Sequence, residues 1–362
     1  MKKSKRPLPP VRPLYAVLLV AAALLLWLLA QPKPGLRVAR LKPVLAPEAG
    51  SPAPAIPGRI RVATYNLEHF TDGRNDEPER TPEVFMTHAR GAAAIIAEAD
   101  PDVLVLQEIE TGRTLEFLND QFARPYPYVY ISKLRQSSGE NERLNLALLS
   151  RLHPHNVRQL GFYDLAGKGR PARGSLAAEF DLGDGSSLLV YAIHLKSNFG
   201  EMPRNQAQRA IALCHIDADV VSEKLQNDPA PTYAIILGDT NVDPDTEAFA
   251  DDPSLEPLAG SFVDLWRGRP IGERITIPTR QAGETGDPLL VFPPAAFDRI
   301  FASKNLAGGG PWRVSPPQTI QKGTDVSNNL TQPGFNGHVS DHYLAYVDLT
   351  RAPAVESPAD VR

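Results

Sequence analysis

The chain has a single cysteine, Cys214, among 362 residues. An internal disulfide is excluded, and so is a lipid-modified N-terminal cysteine. No set of Cys and His residues has the spacing of a zinc site. Cys214 falls in a helical pattern, where a buried, unreactive thiol is expected. Internal repeats are absent. Positive charge is also short: beyond residue 58, 29 Lys and Arg stand against 41 Asp and Glu, a net of −12. Proteins that grip long nucleic acid neutralise many phosphates with Lys and Arg, so the bulk charge does not support that role, although a local basic patch is compatible with it.

One long apolar run breaks the otherwise ordinary globular composition. Leu14–Ala30 is uncharged and rich in Leu, Ala and Val, and it follows Lys2, Lys3, Lys5, Arg6 and Arg12. Its length is near the minimum for a bilayer span. A cleaved signal peptide and a retained anchor are both open. Leu28-Leu29-Ala30 puts a bulky residue where cleavage wants a small one, which favours the anchor. The denser N-terminal charge places residues 1–13 inside and the rest of the chain outside the cytoplasm; secretion after cleavage is the alternative. Residues 31–58 hold Pro32, Pro34, Pro43, Pro47, Pro52, Pro54 and Pro57, the composition of a semi-extended tether. A domain over 59–349 and a tail over 350–362 complete the expected organisation.

Within that domain, Ile60–Asn66 alternates as a strand. Thr81-Pro82-Glu83 opens a helix that runs to Ala99, and Asp102–Glu108 is an apolar strand with a polar end. A helix over about 111–122 follows. Tyr128–Ser132, Leu144–Ser150, Ser175–Leu182 and Ser187–Ile193 read as strands, with Gly183-Asp184-Gly185 as a hairpin turn. Pro203–Leu225 is a long helix carrying Arg204 and Arg209, read as solvated or packing residues. Phe262–Trp266 is a short apolar element, Ala296–Phe301 a strand with one inward acid, and His342–Leu349 the closing strand. Between the last two, 305–340 reads as a long loop. Mixing βα units with hairpins predicts an α/β fold with mixed sheets.

The stretch Tyr233-Ala-Ile-Ile-Leu-Gly238-Asp239-Thr240-Asn241 organises the rest. Its apolar run suits a strand buried on both faces, and Gly238 turns the chain so that an acid and an amide emerge at the strand's end. Pro244 with Asp243, Asp245 and Glu247 suits the first turn of a following helix. Alone, Gly-Asp-x-Asn is a weak signal and reads more readily as a polar turn. Five other strand-like runs, however, also end in metal-capable or proton-handling residues: Asn66, Glu108, His194, Asp298 and the pair Asp341-His342. Singly each has an ordinary reading as a solvated strand end, turn, cap or structural group; together they do not. Asn66, Glu108, Asp239, Asn241 and Asp341 offer oxygen donors only, which suits Mg²⁺, or Mn²⁺, over zinc.

In this order the motifs resemble the endonuclease/exonuclease/phosphatase superfamily of metal-dependent phosphoesterases, over roughly Arg59–Leu349. Ala192-Ile193-His194-Leu195-Lys196-Ser197 and Leu146-Ala-Leu-Leu149-Ser150 match further stretches of the pattern. The resemblance implies a four-layer α/β sandwich of two facing mixed sheets flanked by helices, with the site at one rim. It implies Glu108 as the main metal ligand beside Asn66 and Asp341, Asp239 as the group that orients and deprotonates water, and Asn241 as its holder or a phosphate contact. It pairs His342 with Asp298 and makes His194 a second phosphate ligand or proton donor. Whether Asp239 or His342 is the base stays open. Glu68, Gln107, Lys196, Asn198 and Arg173 adjoin these positions, Asn145 and Arg151 flank a core strand, and His338 and Lys322 are candidate substrate contacts. Ile109-Glu110 stands where abasic-site endonucleases carry Thr-Lys, which argues against a repair role. The expected substrate is a phosphoester, with nucleic acid, lipid head groups and inositol phosphates as alternatives. A catalytically silent binding module is the reading from another class. A monomer is expected.

Overall fold

The computed structural model describes residues 37–74, 81–135, 140–162, 171, 173–227, 229–281, 291–325 and 333–352. Leu14–Ala30 lies outside them; among the described residues no helix is long and apolar enough to cross a membrane.

Two seven-stranded sheets form the frame. The first runs β1 (Arg37–Arg40), β6 (His155–Gly161), β7 (Ser175–Asp181), β8 (Ser187–His194), β9 (Thr232–Asp239), β13 (Asp298–Ser303) and β10 (Phe262–Asp264). The second runs β14 (Trp312–Val314), β16 (Leu344–Arg351), β2 (Arg59–Phe70), β3 (Val103–Ile109), β5 (Asn145–Ser150) and β4 (Tyr128–Ile131), with β15 (Gln318–Ile320) also on β16. A two-stranded ribbon, β11 (Arg280–Gln281) with β12 (Val291–Phe292), stands apart. Among the described residues only β2–β3 and β8–β9 pair in parallel. Both sheets are therefore mixed, as expected.

Period-2 alternation decides the layering. Along β3, Val103 and Val105 point into the core between the sheets, while Leu104 and Leu106 point to the helices outside. Leu188 and Val190 on β8, with Ile235 and Leu237 on β9, enter the same inter-sheet core from the other side. Helix α1 (Pro82–Ala99) starts as the sequence predicts, with the Thr81 hydroxyl accepting from Val84 N and Pro82 in the first turn. Helix α2 (Gly112–Asn119) begins with a reciprocal Thr111–Thr114 cap. These two cover the second sheet, and α3 (Met202–Gln226) covers the first through Ala212, Leu213, Ile216 and Val220. The result is a helix–sheet–sheet–helix sandwich.

Four expectations change. Residues 37–58 do not stand off as a tether. Their strand β1 pairs with β6, Leu41 N donates to Val157 O, Val44 N donates to Val129 O, and Ile56 packs on the core. Prolines there end strand pairing without preventing contact with the domain. The segment 305–340 is not one loop, since it holds β14 and β15. Cys214 is exposed, because it lies opposite the α3 face formed by Ala212 and Ile216. Asp243 does not start a helix; it is wholly buried, and its carboxylate accepts from Arg274, Arg299 and Ala296 N. Only a short 3₁₀ turn follows, at Glu247–Phe249.

Candidate active site

Sheet register brings the first group of side chains into line. His194, the last residue of β8, sits beside Asp239, the last of β9, and Asp239 sits opposite Asp298, the first of β13. Gly238 is required at the end of β9: its φ is 139°, and a Cβ there would collide with the Ile193 carbonyl. From the other sheet, Asn66 on β2 is level with Gln107 on β3, so Glu108 comes next at the same rim. Asp341 and His342 immediately precede β16, which runs antiparallel to β2.

The two groups meet. The Asn66 amide lies 3.3 Å from both Glu108 Oε1 and Asp239 Oδ2, and 3.4 Å from His342 Nε2. His194 Nε2 is 3.5 Å from Asp239 Oδ2 and 3.6 Å from Glu108 Oε1. His342 Nδ1 donates to Asp298 Oδ2 at 2.6 Å, and its Nε2 is 3.6 Å from Asp341 Oδ1. Asn241 is bound at the margin: its backbone N–H donates to Asp239 Oδ1 at 2.8 Å, and its side-chain amide reaches Leu195 O at 3.4 Å. The structure thus brings together all eight residues named from the sequence.

Backbone strain concentrates here. Among the described residues seven non-glycine positions have positive φ, and four of them, Glu68, His69, Glu108 and Asn241, border this site. Such conformations cost about 1 kcal/mol or more each and persist where surrounding bonds enforce them. Here His69 N donates to Glu108 Oε2, and Glu68 N to Asn66 Oδ1.

The charges are set by burial and by one another. Burial, with Asp298 and Glu108 close by, pushes the Asp239 carboxyl up to about 7, against the pull of His342 and the Asn241 N–H. Burial opposes charge on His342 too, but Asp298, Asp341 and Asp239 outweigh it and hold its imidazole well above the usual histidine range. His194 goes the other way: burial, then Arg173 and His342, keep it neutral, and its Nδ1 has no hydrogen-bond partner. Two histidines at one rim are therefore in opposite charge states.

Two neighbours stand out beyond the residues singled out for catalysis and metal. Glu68 Oε2 accepts from Asp341 N at 2.7 Å and from His338 Nε2 at 2.8 Å. His338 Nδ1 accepts from Asp325 N, which leaves the proton on Nε2. Burial and the nearby Asp341 raise the Glu68 carboxyl. Glu68 and His338 lie 270 residues apart, so no local spacing announces the pair. Gln107 bonds Thr64 beside Gly238, Asn145 bonds Glu142 O, Arg151 pairs with Asp100, and Lys322 pairs with Glu98 on the surface.

A family model described as the Endonuclease/Exonuclease/phosphatase family matches residues 63–342. The chain belongs to this family. Solved structures agree on the fold of this family member. TDP2 from Caenorhabditis elegans is 18% identical over 82% of this chain and 77% of that one, with a TM-score of 0.53. An endonuclease/exonuclease/phosphatase family protein from Bacteroides thetaiotaomicron is 15% identical over 82% and 98%, TM-score 0.53. TDP2 from D. rerio, complexed with single strand DNA product, is 18% identical over 81% and 99%, TM-score 0.51. No curated protein matches the sequence.

Family members depend in general on a divalent cation, and the donors present suit one. Glu108, Asp341 and Glu68 with the Asn66 carbonyl are hard oxygen ligands of the kind Mg²⁺ or Mn²⁺ takes. Among the described residues no three His, Cys, Asp or Glu form a ready-made cage. A cation that keeps its waters and shares its shell with a phosphate does not need one.

Proposed function

We propose that this phosphoester hydrolase cleaves phosphodiesters of the nucleic-acid type with Mg²⁺. One observation carries the reading: the buried Asp239 carboxyl shares a rim with His342, which Asp298 holds, and with the Asn66–Glu108 pair. Glu108, with Asn66 and Asp341, would hold the cation, which when bound neutralises charge on the phosphoryl oxygens.

The remaining work falls to side chains. Asp239 orients a water and takes its proton, since a carboxyl near 7 is ionised half the time at neutral pH and still basic enough to accept. His342, which its neighbouring acids hold well above the usual histidine range, is favoured as a proton donor over a base; its Nε2–H would face the phosphoryl group while Asp298 fixes its tautomer. His194, neutral, offers Nε2–H to a second phosphoryl oxygen. Asn241 fixes the Asp239 carboxylate through its backbone N–H. The apolar run Leu14–Ala30 supports retention at a membrane with the domain exported, and the same run favours lipid or inositol phosphates as the second reading.

The test is a substrate panel with the full-length chain: a single-stranded oligonucleotide, a bis-nitrophenyl phosphodiester and phospholipid vesicles, each with Mg²⁺, Mn²⁺ or chelator. Cleavage of the first two, abolished by chelator, is expected. Head-group release without oligonucleotide cleavage selects the second reading. No hydrolysis of any ester sinks both.

A further inference from the structure

The segment after β8, Leu195 to Phe199, is irregular, yet its carbonyls are all but fully capped. Arg173 Nη1 donates to Leu195 O, Arg209 Nη1 to Lys196 O, and Lys196 Nζ to both Ser197 O and Phe199 O. Asn205 adds a second bond to Phe199 O. Arg209 is itself fully buried and anchored on Asp252 at 2.9 Å. Burying an ion pair costs several kcal/mol of desolvation, and this one immobilises a loop. The loop is tied directly to the site, because Asn198 Nδ2 donates to Asn241 O at 2.9 Å.

On this fixed backbone Phe199 leaves its ring 69% exposed. A second aromatic pair adjoins Thr240. Phe297, whose carbonyl accepts from Thr240 N, meets Phe249 edge to face at 5.6 Å between centroids, and both are half-buried. Both aromatic positions are thus tied to the Thr240–Asn241 turn, Phe199 through its neighbour Asn198 and Phe297 through its own carbonyl. Of the cations beside it, Arg173, Lys196 and Arg209 are bound to carbonyl oxygens.

We infer that Phe199 is a stacking platform for a nucleobase next to the scissile phosphate, and that the substrate is a single strand or nucleotide ester held by stacking, not a duplex held by its charge. This rests on the phosphodiesterase reading. The physical reason is charge: beyond residue 58 the chain is net −12, so its bulk charge does not favour binding through counterion release, whereas every base offers a π-face and each stack is worth about 1–3 kcal/mol. A duplex keeps its bases stacked on one another, so only an unpaired base can use the ring.

The test measures binding separately from turnover. Fluorescence anisotropy of a labelled single strand of about ten nucleotides with the full-length chain, in chelator, is compared for wild type, Phe199→Ala, Phe199→Leu and Phe199→Trp. About tenfold weaker binding is expected for Ala, a partial loss for Leu, and recovery for Trp. A strand with a base-free sugar beside the cleaved bond should bind wild type and Phe199→Ala alike. With Mg²⁺ the Ala change should appear mainly in KM, and affinity should depend weakly on salt. Binding that Phe199→Ala leaves within about twofold, where one stack predicts fivefold or more, overturns the inference, as does a steep salt dependence or a loss confined to phospholipid vesicles. Absence of hydrolysis with the anisotropy pattern intact would instead count against the proposed reaction and leave the platform standing.

Discussion

Asp239 and Asp243 lie four positions apart, and both are buried, at 2% and 0% exposure. Their surroundings differ completely. Asp243 is enclosed by the guanidinium groups of Arg274 and Arg299 and by backbone N–H groups of Ala296 and Asp245, with Arg299 also bonded to Asp264. Asp239 faces two histidines, an amide and further carboxylates, and no arginine among the described residues bonds it. Compensated charge builds structure; under-compensated charge is available for chemistry. The paired acid is the anchor that holds the 243–299 crossing behind the rim, and the poorly paired one is the reactive group on the rim.

Three measurements would break or sharpen the contrast. Removing the charge at the rim has the largest expected effect: Asp239→Asn should cut Mg²⁺-dependent turnover about 10³-fold while the melting temperature holds or rises, because an awkward buried charge disappears. A fall in stability matching the fall in turnover would erase the distinction. Next, Asp243→Ala should strand two buried guanidinium groups and cost about 3–5 kcal/mol, a drop of about 10 °C in melting temperature, whereas below its melting point the variant should retain most of its turnover. A mild stability change with complete loss of activity would reverse the two roles.

The smallest effect concerns pH. The folded chain holds the Asp239 proton up to about 7, whereas an unfolded aspartate titrates near 4. Its contribution to stability is thus present below about pH 4 and lost as pH rises through about 7. Urea titrations of the metal-free chain at about pH 5 and about pH 8 should show wild type losing more stability than Asp239→Asn over that interval. Parallel losses in the two proteins would mean that the rim carboxyl is better compensated than its neighbours indicate.

The same pair shows what could be read along the chain. Apolar runs ending in Asn66, Glu108, His194 and Asp239 located both the strands and the rim, since a strand buried on two faces carries its first polar group where it leaves the core. Asp298 and the Asp341-His342 pair were visible for the mirror reason, at the starts of antiparallel strands. Asp243 looked like a helix-start acid because Pro244 and Glu247 follow it, while its partners are 31 and 56 residues away. For Arg209 solvated and packing readings stood side by side, because its partner Asp252 belongs to another element 43 residues on. Strands β6, β14 and β15 escaped notice because they are short or weakly alternating, and their place is set by neighbours, not by their own pattern.

Period, turn chemistry and donor type are local quantities, and they sufficed to show strands in mixed sheets and a set of hard oxygen ligands with two imidazoles. Which buried acid keeps a proton, which histidine carries one, and which arginines are locked away depend on charges brought within a few ångströms by folding. In a low-dielectric interior those through-space terms exceed anything adjacent residues contribute, so they exist only once the sheets have closed.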